Sequence, residues 1–137
     1  MIEIHIDYRG ELHCDALHGP SSAQVGTDAP VDNQGKGTSF SPTDLLATAL
    51  GTCMATVMGI VARRKEIDLV GMMIRVEKHM SEDKPRRVSK LAVEIRMPIN
   101  EEHPERKLFQ ATVNGCPVHH SIHPEIEVPI KWVWGES

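Results

Sequence analysis

Apolar and polar residues alternate at the start of the chain, where three isoleucines and a tyrosine occupy every second position of residues 2–8. This period of two is the pattern of a β-strand that buries one face. Arg9-Gly10 offers a turn, and residues 11–17 can return beside the first strand as the second arm of a hairpin. The same alternation recurs in residues 70–76, 91–97 and 126–134. The pattern therefore predicts five strands.

A long apolar helix follows the clearest start signal in the sequence, SPTD at residues 41–44. The serine is the expected N-cap, the proline takes the first helical position, and the aspartate completes a capping box. The helix is expected to continue to Glu66, and it carries no charge between Leu45 and Ala62. A helix that is apolar on nearly all sides is expected to be buried on most of them.

Two more helices are predicted before the last strand. Residues 100–115 place acidic residues early and a glycine at the end, as in an amphipathic helix with a C-cap. Residues 116–122 predict a short helical turn with Cys116 as N-cap and Pro117 as its first residue. Residues 18–40, rich in Gly, Pro, Ser and Asp, predict a long loop, which in a compact domain is often functional. The element order is ββαββααβ, an α+β fold in one domain over residues 1–137.

Composition excludes several classes of function. Acidic and basic residues are mixed along the 137 residues with a net charge of −4, which argues against a nucleic-acid partner. No stretch reaches the roughly 20 apolar residues of a membrane span, so no membrane association is expected. The N-terminus lacks the pattern of a signal peptide. Three cysteines without an export signal then predict a cytoplasmic protein with reduced thiols.

The three cysteines have different predicted environments. Cys53 lies in the middle of the long helix, where a cysteine is most often a buried and inert part of the core. Cys116 lies at a helix N-terminus, where unpaired N–H groups lower the pKa of a thiol; an ordinary capping cysteine is the alternative. Cys14 is expected to pack as a small apolar group. A reversible pair of Cys53 and Cys116 is a hypothesis, because 63 positions separate them and spacing alone does not bring them together.

The segment Asn114–Pro124 reads NGCPVHHSIHP and holds one cysteine and three histidines. All four are residue types that bind zinc, and Cys116, His120 and His123 supply three ligands if the turn is helical. His119 follows Cys116 by three positions, which can place an imidazole near the thiol. The alternative is that the histidines cover a surface turn, since no HExxH or CxxC motif occurs elsewhere in the chain. A thiol site is the first hypothesis, and a metal-binding module is the less favoured one.

The stretch SPTDLLATALGTC, followed about sixty residues later by CPVHHSI, resembles the two motifs of the OsmC/Ohr family of osmotically induced and organic-hydroperoxide-resistance proteins. The resemblance implies an intertwined homodimer with mixed β-sheets around a buried central helix. It also implies a thiol peroxidase, in which Cys53 attacks an organic hydroperoxide, or hydrogen peroxide, and becomes a sulfenic acid. Cys116 then condenses with it to a disulfide, which a dithiol, lipoyl-type in the better-known members, reduces. No metal or organic cofactor is implied.

Two positions depart from the members of that family that reduce organic peroxides. Those members carry a glutamate directly after the helix-opening proline, where this chain has Thr43; Asp44 comes next, about 180° around the helix from Cys53. Their thiolate-stabilising arginine comes from the early loop region, whereas residues 18–40 contain no arginine and Arg9 precedes them. The resemblance is therefore closest to the OsmC-like branch. The alternative function is a non-enzymatic redox-sensing or small-molecule-binding protein on the same fold.

Overall fold

The computed structural model describes residues 1–136, which form an α+β fold, as the sequence predicts. The elements in chain order are β1 (Ile4–Gly10), β2 (His13–His18), β3 (Gln24–Asp28), a 3-10 turn (Val31–Asn33), α1 (Pro42–Arg64), β4 (Met73–Met80), β5 (Val88–Asn100), α2 (Arg106–Val113), α3 (Pro117–Ser121) and β6 (Ile130–Gly135). The chain divides after Leu46 into two compact units. The single domain over residues 1–137 stays a prediction.

One strand, β3, lies inside the segment 18–40 that the sequence predicts as a loop. It pairs antiparallel with β2, and Asp28 at its end lies opposite His13. Five residues with Gly26 in the middle are too short to show a strand period. The strand is stabilised by its pairing with β2, which the local sequence does not reveal. The loop is therefore confined to residues 29–40.

The first unit contains the antiparallel sheet β1-β2-β3, whose two faces differ in polarity. Side chains of opposed residues share a face, and successive residues along a strand point to opposite faces. The apolar face carries Ile4, Ile6, Tyr8, Cys14, Ala16 and Val25. This face is open in the chain, because Ile4, Ile6 and Tyr8 are 60%, 66% and 66% exposed. The prediction of the first strand is confirmed, but the burial expected for its apolar side is wrong within a single chain.

Helix α1 begins as predicted. The N–H of Asp44 donates to Ser41 Oγ at 3.1 Å, and Asp44 Oδ2 accepts the N–H of Ser41 at 2.9 Å, which is a reciprocal capping box. The helix ends at Arg64, slightly before the predicted end at residue 66. By length and composition it is able to cross a membrane, which corrects the expectation that no segment is. A core helix of a soluble protein passes the same test, so this property is weak evidence for a membrane.

The second unit contains the sheet β4-β5-β6, in which β5 pairs antiparallel with β4 and parallel with β6. Leu91 and Ile95 on its apolar face are fully buried. α1 packs on this face at Gly51, where an added Cβ would lie 3.0 Å from Val76 Cγ2. The buried residues of the helix are Ala47, Leu50, Gly51, Met54, Met58 and Ala62. Only 33% of its most apolar window is buried, so burial on most sides, as expected from the sequence, is wrong within one chain.

Three element boundaries in the second unit differ from the predicted ones. β4 begins at Met73 and not at residue 70, because Gly71 adopts a left-handed conformation with φ +99° that interrupts an extended strand. β5 continues to Asn100, so that α2 starts only at Arg106. The last strand starts at Ile130 instead of residue 126. These shifts leave the order of the elements in this unit as predicted.

Candidate active site

Cys53 lies near the middle of α1 and is half-buried. An inert core cysteine would be as inaccessible as its helix neighbours Leu50 and Met54, which are 0% exposed. The helix turns these neighbours towards the core of the second unit and leaves one side of Cys53 uncovered. Cys53 is therefore less buried than these two neighbours on the helix.

Cys116 is fully buried and forms the N-cap of α3, with Pro117 as the first helical residue, as the sequence predicts. Burial raises the pKa of the Cys116 thiol above its ordinary value, and a hydrogen bond with the Cys53 side chain raises it further. The N–H groups of Val118 and His119 also bond to the sulfur and act in the opposite direction, with a smaller effect. The lowered pKa expected from the helix N-terminus is therefore wrong, because the Cys116 thiol is buried.

The two thiols are neighbours in the second unit, since the side chain of Cys53 is one of the groups that raise the pKa of Cys116. Both are free thiols. Two cysteines in contact, one half-buried and one fully buried, form the arrangement from which a reversible disulfide arises. The structure thus brings together two residues that the sequence could only suggest as a pair.

The histidines after Cys116 do not join it in a ligand set. His120 and His123 are exposed whereas the sulfur is buried, and the rings of His119 and His120 are 6.3 Å apart between centroids. His123 Nδ1 accepts the N–H of Glu125 at 3.1 Å, as in a turn. Residues 1–136 contain no group of three or more His, Cys, Asp or Glu side chains placed to hold a metal ion. The hypothesis of a metal module at Cys116, His120 and His123 is therefore not supported by the geometry.

Three residues of the first unit to which the resemblance draws attention have clear positions. Asp44 serves the capping box described above and is a cap, as expected from its place on the helix. Arg9 Nε donates to Asp15 Oδ2 at 2.9 Å. Cys14 is half-buried on the apolar face of β2, opposite Tyr8, in agreement with packing as a small apolar group.

Sequence reasoning missed a cluster of polar side chains on the other face of the same sheet. His13 lies between Asp15 and Asp28 and contacts both carboxylates. The spacing of His13 and Asp15 places them on one face of a strand, which is a signal in the sequence. Asp28 joins them only through the pairing of β2 with β3, and no local pattern predicts that pairing.

Comparison with known proteins identifies the family of the chain. A family model described as OsmC-like protein matches residues 35–131. The crystal structure of an osmotic stress induced and detoxification response protein from Psychrobacter arcticus 273-4 is 45% identical, covers 96% of each chain and has a TM-score of 0.90. No curated protein sequence matches the chain.

More distant structures share the fold. An organic hydroperoxide resistance protein OsmC from Legionella pneumophila is 16% identical over 97% of this chain and 96% of that one, with a TM-score of 0.73. An organic hydroperoxide resistance protein from Vibrio cholerae, with captopril bound in one of its active sites, is 16% identical over 96% and 90% of the two chains, with a TM-score of 0.76. The match of the family model over most of the chain and the 45% identity to the Psychrobacter protein show that this chain belongs to the OsmC-like family.

Proposed function

We propose that the protein is a thiol peroxidase that reduces organic hydroperoxides with Cys53 and Cys116. The observation that carries the proposal is the proximity of these two thiols, through which Cys53 raises the pKa of Cys116. Two structures of the same fold, from Legionella pneumophila and Vibrio cholerae, are named organic hydroperoxide resistance proteins, and this chain belongs to the OsmC-like family. Hydrogen peroxide is a second possible substrate of the same chemistry.

The half-buried Cys53 is the residue that attacks the peroxide. Its thiolate forms a bond to one oxygen of the hydroperoxide while the O–O bond breaks, and the electron pair leaves with the alkoxide, which takes up a proton to become an alcohol. The sulfur of Cys53 is oxidised to a sulfenic acid, and the peroxide is reduced. Cys116 is the less suitable attacking group, because it is fully buried and its pKa is raised, first by burial.

Cys116 resolves the sulfenic acid. Its sulfur attacks the Cys53 sulfur, the S–S bond forms, the S–O bond breaks, and the hydroxide leaves as water with the proton of the Cys116 thiol. The proximity of the reduced thiols supports this step, because Cys116 then needs little movement to reach the oxidised sulfur. The N–H groups of Val118 and His119 that bond to the Cys116 sulfur stabilise negative charge on it as its proton leaves.

A dithiol then returns the pair to its reduced form by thiol–disulfide exchange. The first thiolate of the reductant attacks the accessible sulfur, that of Cys53, and expels Cys116 as the leaving thiol. The second thiol of the reductant resolves the mixed disulfide and becomes oxidised in turn. A lipoyl-type dithiol fits this role, and the cycle uses no metal or organic cofactor. Reduced thiols at rest are consistent with a cytoplasmic location.

The proposed active form is a homodimer. Each unit leaves an apolar surface open in one chain: in the first unit Ile4 and Ile6 are more than half exposed, and in the second unit one side of α1 is uncovered. Soluble proteins cover such surfaces with a partner. Light scattering in detergent-free buffer should give twice the mass of the chain. A monomer, or a protein soluble only with detergent or lipid, would contradict this part of the proposal.

The mechanism is tested by peptide mapping after one equivalent of cumene hydroperoxide. Trypsin sites at Arg9, Lys36, Arg63, Lys107 and Lys131 place the three cysteines in three separate peptides, so a linked pair is identified without ambiguity. We expect the loss of two hydrogens and a linked peptide that joins Cys53 to Cys116. Cys53→Ser and Cys116→Ser should each abolish the linkage, and the matched control Cys14→Ser should retain it. Three free thiols in the treated wild type would overturn the mechanism.

A non-enzymatic redox sensor is the second candidate, favoured by Thr43 at the position of the family's glutamate and by Arg9 in an ion pair with Asp15. Both functions give the linked peptide, and turnover separates them. A peroxidase consumes many equivalents of hydroperoxide when dihydrolipoamide is supplied. A sensor stops after one equivalent.

A further inference from the structure

The polar face of the first sheet holds a histidine between two carboxylates. His13 and Asp28 are directly opposed in the pairing of β2 with β3. His13 Nδ1 lies 2.7 Å from Asp28 Oδ1, and His13 Nε2 lies 3.0 Å from Asp15 Oδ1. The ring packs over Gly26, where an added Cβ would lie 3.1 Å from His13 Cε1. Both ring nitrogens are therefore occupied, and the fold leaves space for the ring.

This arrangement requires the charged form of His13. A neutral imidazole has one N–H donor and one acceptor nitrogen, whereas an ionised carboxylate only accepts. Both bonds exist together only if both nitrogens carry a proton. The carboxylates are ionised, because hydrogen bonds from Thr38 and His13 lower the pKa of Asp28, and those from Arg9 and His13 lower the pKa of Asp15. His13 therefore cannot act as a general base in this state.

The cluster extends on both sides of His13. Arg9 on β1 donates to Asp15 at 2.9 Å and lies 3.7 Å from Asp7. On the other side, Asp28 is only 5% exposed and accepts a hydrogen bond from Thr38 Oγ1. Two further pairs of this unit are largely exposed: Lys36 lies 3.7 Å from Glu11, and His5 lies 3.5 Å from Glu3. Hydrogen bonds thus connect the polar side chains of β1, β2 and β3 with the loop 29–40, and Thr38 is the loop residue that makes the connection.

The loop 29–40 is folded back on the end of β3. The N–H of Asp28 donates to the Phe40 carbonyl at 3.1 Å, and Ser39 Oγ donates to the Gly26 carbonyl at 2.8 Å. Within the loop, the N–H of Gly37 donates to the Ala29 carbonyl at 3.3 Å. The next residue along the chain is the N-cap of α1, the helix that carries Cys53. The loop is therefore joined directly to the start of that helix.

We propose that His13, Asp28 and Thr38 form a pH-sensitive latch, which holds the loop 29–40 closed while His13 is charged and releases it when His13 loses its proton. Deprotonation leaves one ring nitrogen as an acceptor that faces a carboxylate, and neither group can donate. The nearly buried Asp28 then lacks its cationic partner, and it takes up water at the expense of the bond to Thr38.

The direction of the pH effect follows from the pKa shifts. Hydrogen bonds with Asp28 and then Asp15 raise the pKa of His13 above its ordinary value of 6.5. Because the pKa of His13 is raised in the folded state, the stabilisation that His13 contributes is complete below pH 6.5. It is lost as the pH rises through the raised pKa. The carboxyls have lowered pKa values, so their stabilisation is present above 3.8 and is lost as the pH falls through the lowered values. The latch is therefore closed at pH values between the lowered pKa values of the carboxyls and the raised pKa of His13.

Trypsin tests the latch on the full chain, because Lys36 is the only cleavage site between Arg9 and Arg63 and lies in the loop. Cleavage of a folded chain requires local opening of the segment. The measured quantity is the cleavage rate after Lys36 divided by the rate for a synthetic peptide of residues 30–42. We expect this ratio to rise about tenfold between about pH 6 and the alkaline side of the His13 titration. This size corresponds to the loss of one charge-assisted hydrogen bond. A flat ratio across the titration of His13 would overturn the latch.

Two loop variants form a matched pair. Thr38→Val removes the hydroxyl that joins the loop to Asp28 and should give fast cleavage without a pH step. Ser39→Ala removes the neighbouring hydroxyl, which bonds to the Gly26 carbonyl, and should retain the step. A step that persists in Thr38→Val would overturn the proposal.

Nitrogen NMR of the His13 ring supplies a reading that does not depend on proteolysis. Both ring nitrogens should be protonated near neutral pH in the wild type and also in Thr38→Val, because the contacts with Asp15 and Asp28 remain. His13→Gln, which is neutral at every pH, should be cleaved rapidly throughout. A His13 ring with a single protonated nitrogen at neutral pH would contradict the latch.

Discussion

The two three-stranded sheets of this protein have similar alternating sequences, but the apolar face of one is buried within the chain and that of the other is exposed. In the second unit, α1 covers the apolar face of β4-β5-β6, and Ile95 at its centre is fully buried. In the first unit, the apolar face of β1-β2-β3 is open, with Ile6 66% exposed. The period of two shows which side chains share a face. It does not show whether the same chain supplies the cover for that face.

The polar faces differ as well. On the outer face of the second sheet, Glu94 is surrounded by Arg75, Arg96 and Lys131, and a hydrogen bond from Arg96 is the main reason that its pKa is lowered. These cations are largely exposed, and solvent screens exposed pairs strongly. On the first sheet, the partner of the nearly buried Asp28 is His13, whose pKa is raised above its ordinary value of 6.5 by hydrogen bonds with Asp28 and Asp15. The charge of the Asp28 partner therefore changes when His13 titrates, whereas the arginines and the lysine around Glu94 keep their charges.

Among the substitutions that test the difference between the two sheets, the largest loss of stability is expected at Ile95. Ile95→Ala removes a fully buried side chain from the middle of β5 and leaves a cavity, so it should lower the free energy of unfolding by about 2–5 kcal/mol. Urea unfolding followed by circular dichroism measures this loss. The matched control is Val70→Ala in the same unit, where the side chain is 85% exposed and the change should be small. Equal losses for the two variants would mean that the second sheet is not covered as described.

A smaller loss is expected where α1 meets the second sheet. Gly51→Val would place a branched side chain at a position where even the Cβ lies 3.0 Å from Val76 Cγ2, and overpacking of this kind costs about 1–3 kcal/mol. Gly59→Val is the control on the same helix, since nothing lies within 4 Å of an added Cβ there. Thermal unfolding of the two variants at one protein concentration gives the comparison. A stable Gly51→Val protein would place the helix further from the sheet.

The parts of the fold that the sequence predicts are those set by local chemistry. The start of α1 follows from the hydrogen-bonding groups of Ser41 and Asp44, which lie three residues apart. The position of Cys116 at the start of α3 follows from the proline after it. Both predictions use neighbours in the chain and need no tertiary contact. The short strand β3 fails this condition, because only its partner β2 stabilises it.

The properties of the candidate site depend on tertiary contacts in the same way. The sequence predicts a lowered pKa for Cys116 from the helix end, but burial, which no local pattern reveals, raises it. The contact of Cys53 with Cys116 joins two helices far apart in the chain. His13 meets Asp28 because β2 and β3 pair in one register. Residue types and faces were predictable in each case, and the partners were not.

Substitution of Ile6 is expected to change the stability of dilute protein least. It is also the most informative substitution about whether a second copy covers the first sheet. Since this side chain is 66% exposed in the chain, Ile6→Ala should change the unfolding free energy of an isolated chain by no more than about 0.5 kcal/mol. If a second copy covers the face, the wild-type unfolding midpoint rises with protein concentration, because association stabilises the folded state by mass action. Ile6→Ala should weaken that concentration dependence, whereas the exposed control Val70→Ala should leave it unchanged. Urea midpoints at low and high concentrations of the three proteins make the test. A wild-type midpoint independent of concentration would mean that the open face of the first sheet is a property of the protein in solution, and the difference between the two sheets would then be permanent.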